Sequence, residues 1–242
     1  MNLIWLLVLA HFVADFPLQS DKIFALKSKY KWGLLPHVFI SFLASLIVAF
    51  PYVQSIHFWY VISFLAVIHL LLDWLKLLAT QKLTGDSLVI FLLDQFLHLF
   101  FIWLACAHIF YVPPPQVDNH PLLMLYLENK VSIILSGLIF AVFGGSVLLH
   151  YIEGIVLRLA NDSNQQINRP FKFKMRDWGY LERLLVTLGI ILGGWFLMLI
   201  PLALIPRLLL LKSANDRLPL MINLAAGAMV SIGTGLLVNF IS

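Results

Sequence analysis

Ionisable residues recur at helical spacing inside apolar stretches long enough to cross a bilayer, and no other feature limits this chain as much. His11 and Asp15 fall in the first stretch, His37 opens the second, His69 and Asp73 occupy the third, and Asp94 and His98 the fourth. A charge at the centre of a bilayer costs about 3 kcal/mol or more, so such residues persist where they pair, bind an ion or line a wet cavity. The chain has 242 residues, of which 61% are hydrophobic and 12% charged, and its mean hydropathy is +0.94. That is more apolar surface than a soluble domain of this length can bury. The expected fold is an all-α polytopic transmembrane helix bundle.

Hydrocarbon crossing needs about 20 mostly apolar residues in helical form. Seven segments qualify, at 2–19, 34–51, 58–79, 88–112, 131–157, 181–205 and 219–241. Pro17 interrupts the first near its end, and the sixth runs into Pro201 and Pro206, where a break or a re-entrant turn is expected. Met1–Ala10 lacks the basic start and small-residue cleavage site of a secretory signal, so it reads as a retained first helix. Cys106 stands alone, which excludes an internal disulfide or a cysteine-built zinc site. The expected organisation is a four-helix membrane core over 1–112, an extracytoplasmic loop over 113–130 and a C-terminal membrane region over 131–242.

Lysine and arginine in short loops set orientation. Lys22, Lys27, Lys29 and Lys31 lie between spans one and two, Lys76 and Lys82 flank the turn between three and four, and Arg158, Arg169, Lys172, Lys174 and Arg176 fill the loop between five and six. These loops share one side, expected to be cytoplasmic, with the N-terminus outside and the C-terminus inside. Arg207, Lys212 and Arg217, opposed only by Asp216, break the pattern unless the sixth segment is re-entrant.

With that topology, the 1.5 Å helical rise puts Asp15, Asp73 and Asp94 at about 6–10 Å from the cytoplasmic end and His11, His69 and His98 at about 13–17 Å. His37 enters from the same side at a shallower level. Histidine precedes aspartate in spans one and three, while Asp94 precedes His98 in span four, a reversal that a shared depth demands of antiparallel helices. Each pair is separated by four residues and so occupies one helix face. His11, Asp15, His69, Asp73, Asp94 and His98 are the candidate metal ligands, with His37, Lys76 and Gln95 as candidate supporting catalytic residues. Gln19 continues the first face. Imidazole with carboxylate suits zinc, manganese, iron or nickel, and helix bundles build one- or two-cation centres from such side chains. The bland reading is that these pairs are hydrogen-bonded glue, worth about 1 kcal/mol each.

Other polar residues suggest less. His57, His108 and His120 belong to the opposite interface, and His150 with Glu153 reads as a local interfacial pair. Glu182 suits a helix N-terminus, and the adjacent Arg183 suits contact with lipid phosphate. The stretch from Arg169 to Arg176 alternates basic and apolar residues, as expected of a segment resting on anionic lipid, and carries no nucleic-acid recognition motif.

Several of these residues form a recognisable pattern. Ala10-His11-Phe12-Val13-Ala14-Asp15-Phe16-Pro17-Leu18-Gln19-Ser20-Asp21, then His37, His69 with Asp73 and Lys76, and Phe91-Leu92-Leu93-Asp94-Gln95 with His98 resemble the bacterial membrane family catalogued as domain of unknown function 3307. Gly179-Tyr180-Leu181-Glu182-Arg183-Leu184-Leu185 is similar to a Gly-x-Leu-Glu-Arg segment of its longer members. The resemblance implies a bacterial inner-membrane protein and groups these residues, without implying an activity.

Three functions fit. The first is a metal-dependent membrane hydrolase acting on a lipid-linked or phosphate-bearing substrate. The second is a cation or proton transporter, disfavoured because the outer half of the spans holds no matching ionisable cluster. The third is a structural membrane protein with a polar core.

Overall fold

Every regular element in the computed structural model is helical among the described residues, which are 2–19, 23, 26–27, 30–82, 87–116, 121–159, 173–213 and 217–242. His120, Lys22, Lys29, Arg169, Lys172 and Asp216 fall outside them. The helices are α1 (Asn2–Asp15), α2 (Leu34–Val48), α3 (Ile56–Lys82), α4 (Leu88–Leu104), α5 (Pro121–Tyr126), α6 (Asn129–Ile139), α7 (Gly145–Leu159), α8 (Phe173–Leu192), α9 (Leu199–Ser213) and α10 (Arg217–Ile241). A π-turn, Ala105–Ile109, extends α4, and another, Phe140–Gly144, joins α6 to α7.

Four stretches have the length and composition to cross a membrane: Ile56–Lys82, Leu88–Ile109, Asn129–Val156 and Leu220–Ile241. The expected count of about seven is not established, because Leu3–Asp15, Leu34–Val48 and Gly194–Leu209 are apolar but shorter. The chain divides into two compact units, Met1–Ser136 and Gly137–Ser242.

In the first unit, α1 ends at Asp15, just before Pro17, which has no N–H to continue the ladder. Ala10 and Ala14 on α1 meet Ala44 on α2 in one buried cluster, and such small side chains let helix backbones approach closely. Leu6, Leu7, Phe58, Val61, Ile62 and Ile102 form an apolar core beside the polar residues, drawing α1, α3 and α4 together. Leu6 and Leu7 share a cluster with Val61 and Ile62 while His11 and Asp15 meet His69, so α1 and α3 run in the same direction, with α2 and α4 opposed.

The second unit corrects the expected position of the break in segment six. The chain turns at Gly193 and Gly194, whose φ angles of 63° and 53° suit a residue without a Cβ. Pro201 falls in the first turn of α9, where a missing N–H costs little, and Pro206 lies inside that helix. Arg207 on α9 reaches back to Glu182 on α8, so α8 and α9 form a helical hairpin. Helix α10 packs on α8 with Thr187 beside Ser231 and Ile190 beside Asn239, in parallel.

Candidate functional site

A histidine layer and an aspartate layer lie one helical turn apart inside the first unit. The rings of His11, His69 and His98 meet at centroid distances of 5.8, 4.9 and 4.4 Å, with His11 stacked on His98 and His69 edge-on to His98. The ring of His37 lies 5.0 Å from that of His69, and their Nε2 atoms are 3.1 Å apart. His37 is thus not a shallow outlier. His37 lies in the first turn of α2, which starts at Leu34 directly after the 3-10 turn Lys31–Gly33.

The carboxylates complete the arrangement. Asp15 Oδ1 stands 3.6 Å from His11 Nδ1, 3.4 Å from His37 Nε2 and 3.6 Å from His69 Nε2, while Gln95 Nε2 donates to Asp15 Oδ2 at 3.2 Å. Asp73 Oδ2 lies 3.6 Å from His37 Nε2 and 3.8 Å from His69 Nε2. Four atoms, Asp15 Oδ1, Asp73 Oδ2 and the two Nε2 atoms, therefore show five separations between 3.1 and 3.8 Å. A tetrahedral ion with ligand bonds of 2.0–2.1 Å has donor separations of about 3.3–3.4 Å. Asp15 Oδ1 is buried with no hydrogen-bond partner, as befits an oxygen facing a cation site.

Asp94 and His98 stand at the edge of this set. His98 Nδ1 donates to the Asp94 carbonyl at 2.8 Å, which leaves its buried Nε2 as a free lone pair. That backbone bond is the kind that orients metal-ligating imidazoles. Asp94 Oδ2 accepts from Lys76 Nζ at 2.9 Å and from Gln95 Nε2 at 3.3 Å, and its Oδ1 has no partner. Three overlapping trios could each hold a metal ion: His11, Asp15 and His69; His37, His69 and Asp73; and Asp73, Asp94 and His98. Next to the imidazoles a cavity of about 30 Å³, lined by Leu7, Phe42, Ile62 and Phe101 with Ser41 and Ser45, has room for a water molecule.

Sequence reasoning missed Lys27 as a site residue. It is 6% exposed and donates to both oxygens of Asp73, at 3.1 and 2.9 Å, and to Gln19 Oε1 at 3.3 Å. Gly33 permits this, because a Cβ there would stand 2.0 Å from the Leu26 carbonyl oxygen. The missing side chain lets residues 26–27 tuck under the start of α2. Charge balance was the available signal: three buried carboxylates faced one identified lysine, Lys76.

The remaining candidates lie elsewhere. His57, His108 and His150 are exposed, and His108 packs edge-on against Trp103. Glu182 is not at a helix N-terminus; it sits in the middle of α8, 1% exposed, and pairs with Arg207 at 3.1 Å. Arg183, 2% exposed, bonds the Val142 carbonyl and the Ser146 hydroxyl.

Residues 3–124 match the family model described as Protein of unknown function (DUF3307). The chain belongs to this family. The matched segment contains every residue of the His/Asp cluster together with Lys27, Lys76 and Gln95, and it ends before α8. No curated protein and no solved structure matches the chain.

Proposed function

We propose that the first unit is a divalent-metal centre serving a membrane-embedded hydrolase, acting on a lipid-linked or phosphate-bearing substrate from the cytoplasmic face. The observation that carries this reading is the convergence of His37 Nε2, His69 Nε2 and Asp15 Oδ1 to within 3.1–3.6 Å of one another, with Asp73 Oδ2 3.6 and 3.8 Å from the two imidazole nitrogens. Asp15, His37 and His69 would hold the ion, and zinc, manganese, iron and nickel all suit that donor set. A bound divalent cation lowers the pKa of water and draws negative charge from a phosphoryl oxygen. Asp73, balanced by Lys27, would take up the proton that such a water gives up. Lys76, beside Asp94 at the more exposed edge, meets the phosphate. Gln95 positions the Asp15 carboxylate.

A second reading, cation transport, draws on the burial of every donor. The two separate by experiment. Protein reconstituted with each of the four metals in lipid vesicles is expected to release phosphate from an alkyl or isoprenyl phosphate, and Asp73→Asn to lose release while keeping metal. Metal-loaded protein that releases none, yet passes the cation across the vesicle wall, would assign the centre to transport.

A further inference from the structure

The imidazole layer has two sides. Asp15 and Asp73 follow His11 and His69 by four residues and Asp94 precedes His98 by four, so all three carboxylates lie one turn to the same side of the rings. The cavity beside the rings extends the other way. Leu7 precedes His11 by four residues, Ser41 follows His37 by four, Ala66 precedes His69 by three, Phe101 follows His98 by three, and all four line it. With α1 and α3 running one way and α2 and α4 the other, each of these steps leads away from the carboxylates.

The hydrogen-bonding groups on that side are mostly acceptors. His98 gives its Nδ1 proton to the Asp94 carbonyl at 2.8 Å, so its Nε2 keeps a lone pair. His11 turns Nδ1 toward Asp15 Oδ1 at 3.6 Å, which leaves its Nε2 free of the carboxylate. Both Nε2 atoms are buried with no partner in the protein, and both residues line the cavity. Ser45, also in the lining, donates its hydroxyl to the Ser41 carbonyl at 2.9 Å and has only lone pairs left to offer. A buried acceptor without a donor costs about 1–3 kcal/mol, and the two imidazoles present that deficit side by side, their rings 4.9 Å apart.

Three occupants compete for such a space. A lipid chain brings no donor and leaves both lone pairs unsatisfied. A metal ion needs converging donors, yet none of the trios spaced to hold one among the described residues contains both His11 and His98. The described lining also includes no carboxylate to offset a cation's charge. Water donates two hydrogens, needs two to four polar partners and takes about 10–15 Å³. A cavity of about 30 Å³ with two imidazoles and two serines in its wall meets both needs.

We propose that this cavity binds water on His11 Nε2 and His98 Nε2 and supplies it to the hydrolytic centre from the side of the imidazole layer away from the carboxylates. The supply role rests on the hydrolase reading above. Each hydrolysis consumes one water, and a centre whose donors are all buried needs a store of it. Phosphate and water then have separate approaches. Lys76 stands with Asp94 on the carboxylate side, while His69 both lines the cavity and belongs to the ion site.

The test uses the full chain in detergent with its isoleucine methyls labelled for nuclear magnetic resonance. Magnetisation transfer from water to the methyls of Ile62 and Ile102, both in the cavity wall, is measured in the parent and in Ala66→Leu, which fills the cavity. Transfer is expected in the parent and its loss in the variant. Ala66→Val, a smaller filler, repeats the measurement should leucine unfold the chain. In vesicles with an isoprenyl phosphate, the filled variant should keep the metal content and KM of the parent and lose about tenfold or more in kcat. A parent cavity that shows no transfer overturns the proposal, as does a filled variant that excludes water and turns over as fast as the parent. A parent whose cavity takes up water but which hydrolyses nothing overturns the supply role together with the hydrolase reading. An active parent with a dry cavity overturns this inference alone.

Discussion

The two buried polar clusters of this chain are satisfied to different degrees. In the first unit Asp15 Oδ1, Asp94 Oδ1 and Gln95 Oε1 are buried acceptors without partners, beside unpartnered nitrogens of His11, His37 and His98. In the second, Arg207 and Arg183 spend most of their donors on Glu182, Asn223, Val142 and Ser146. Lone pairs converge without enough donors in one place, and guanidiniums meet carboxylate, amide, carbonyl and hydroxyl oxygens in the other. The contrast separates a polar core that satisfies itself from one that needs a ligand. Hydrogen-bonded glue resembles the Ser231 hydroxyl on the Gly227 carbonyl at 2.8 Å, with nothing left over.

The largest expected effect comes from removing metal. Chelation should lower the stability of the first unit by about 4 kcal/mol, the linkage expected for a ligand held a thousandfold above its dissociation constant. Faster hydrogen exchange confined to α1 and α3 would report it, and equal acceleration in α8 and α10 would erase the distinction between the clusters. A matched pair of lysine and arginine substitutions comes next. Lys27→Met leaves Asp73 unpaired and Arg207→Met leaves Glu182 unpaired, each costing about 3 kcal/mol in denaturant melts. Added metal should recover the first loss and not the second.

Much of the first cluster was legible because the physics is local. Pairs such as His69 and Asp73 share a face by helical geometry alone, and the reversal of Asp94 and His98 announced an antiparallel neighbour. Lys27 was not legible in that way. It sits among Lys22, Lys29 and Lys31, where a loop charge and a site charge look alike, and its burial depends on a backbone approach at Gly33. The turn in segment six was misplaced for a related reason. Pro201 and Pro206 are conspicuous breakers, yet a proline in a first helical turn breaks nothing, and the corner needed the positive φ of Gly193 and Gly194. Arg207, a loop residue on hydropathy alone, became a buried partner of Glu182 once that corner was placed.

Two glycine substitutions refine the contrast at smaller cost. Gly33→Ala would set a Cβ 2.0 Å from the Leu26 carbonyl, and the shift needed to relieve it should cost about 2 kcal/mol and weaken metal binding by unseating Lys27. A melt with unchanged metal affinity would detach Lys27 from the centre. Gly193→Ala strains a residue at φ 63° by about 1 kcal/mol and should leave metal affinity untouched.

Elemental mass spectrometry of the purified protein, parent beside a His37→Ala, His69→Ala double variant matched for folding, puts the metal centre to trial. The expected result is about one divalent ion per chain in the parent and almost none in the variant, since both central imidazoles are gone. A parent that holds no zinc, manganese, iron or nickel after reconstitution, or a variant that holds as much as the parent, would contradict a centre built on His37, His69, Asp15 and Asp73.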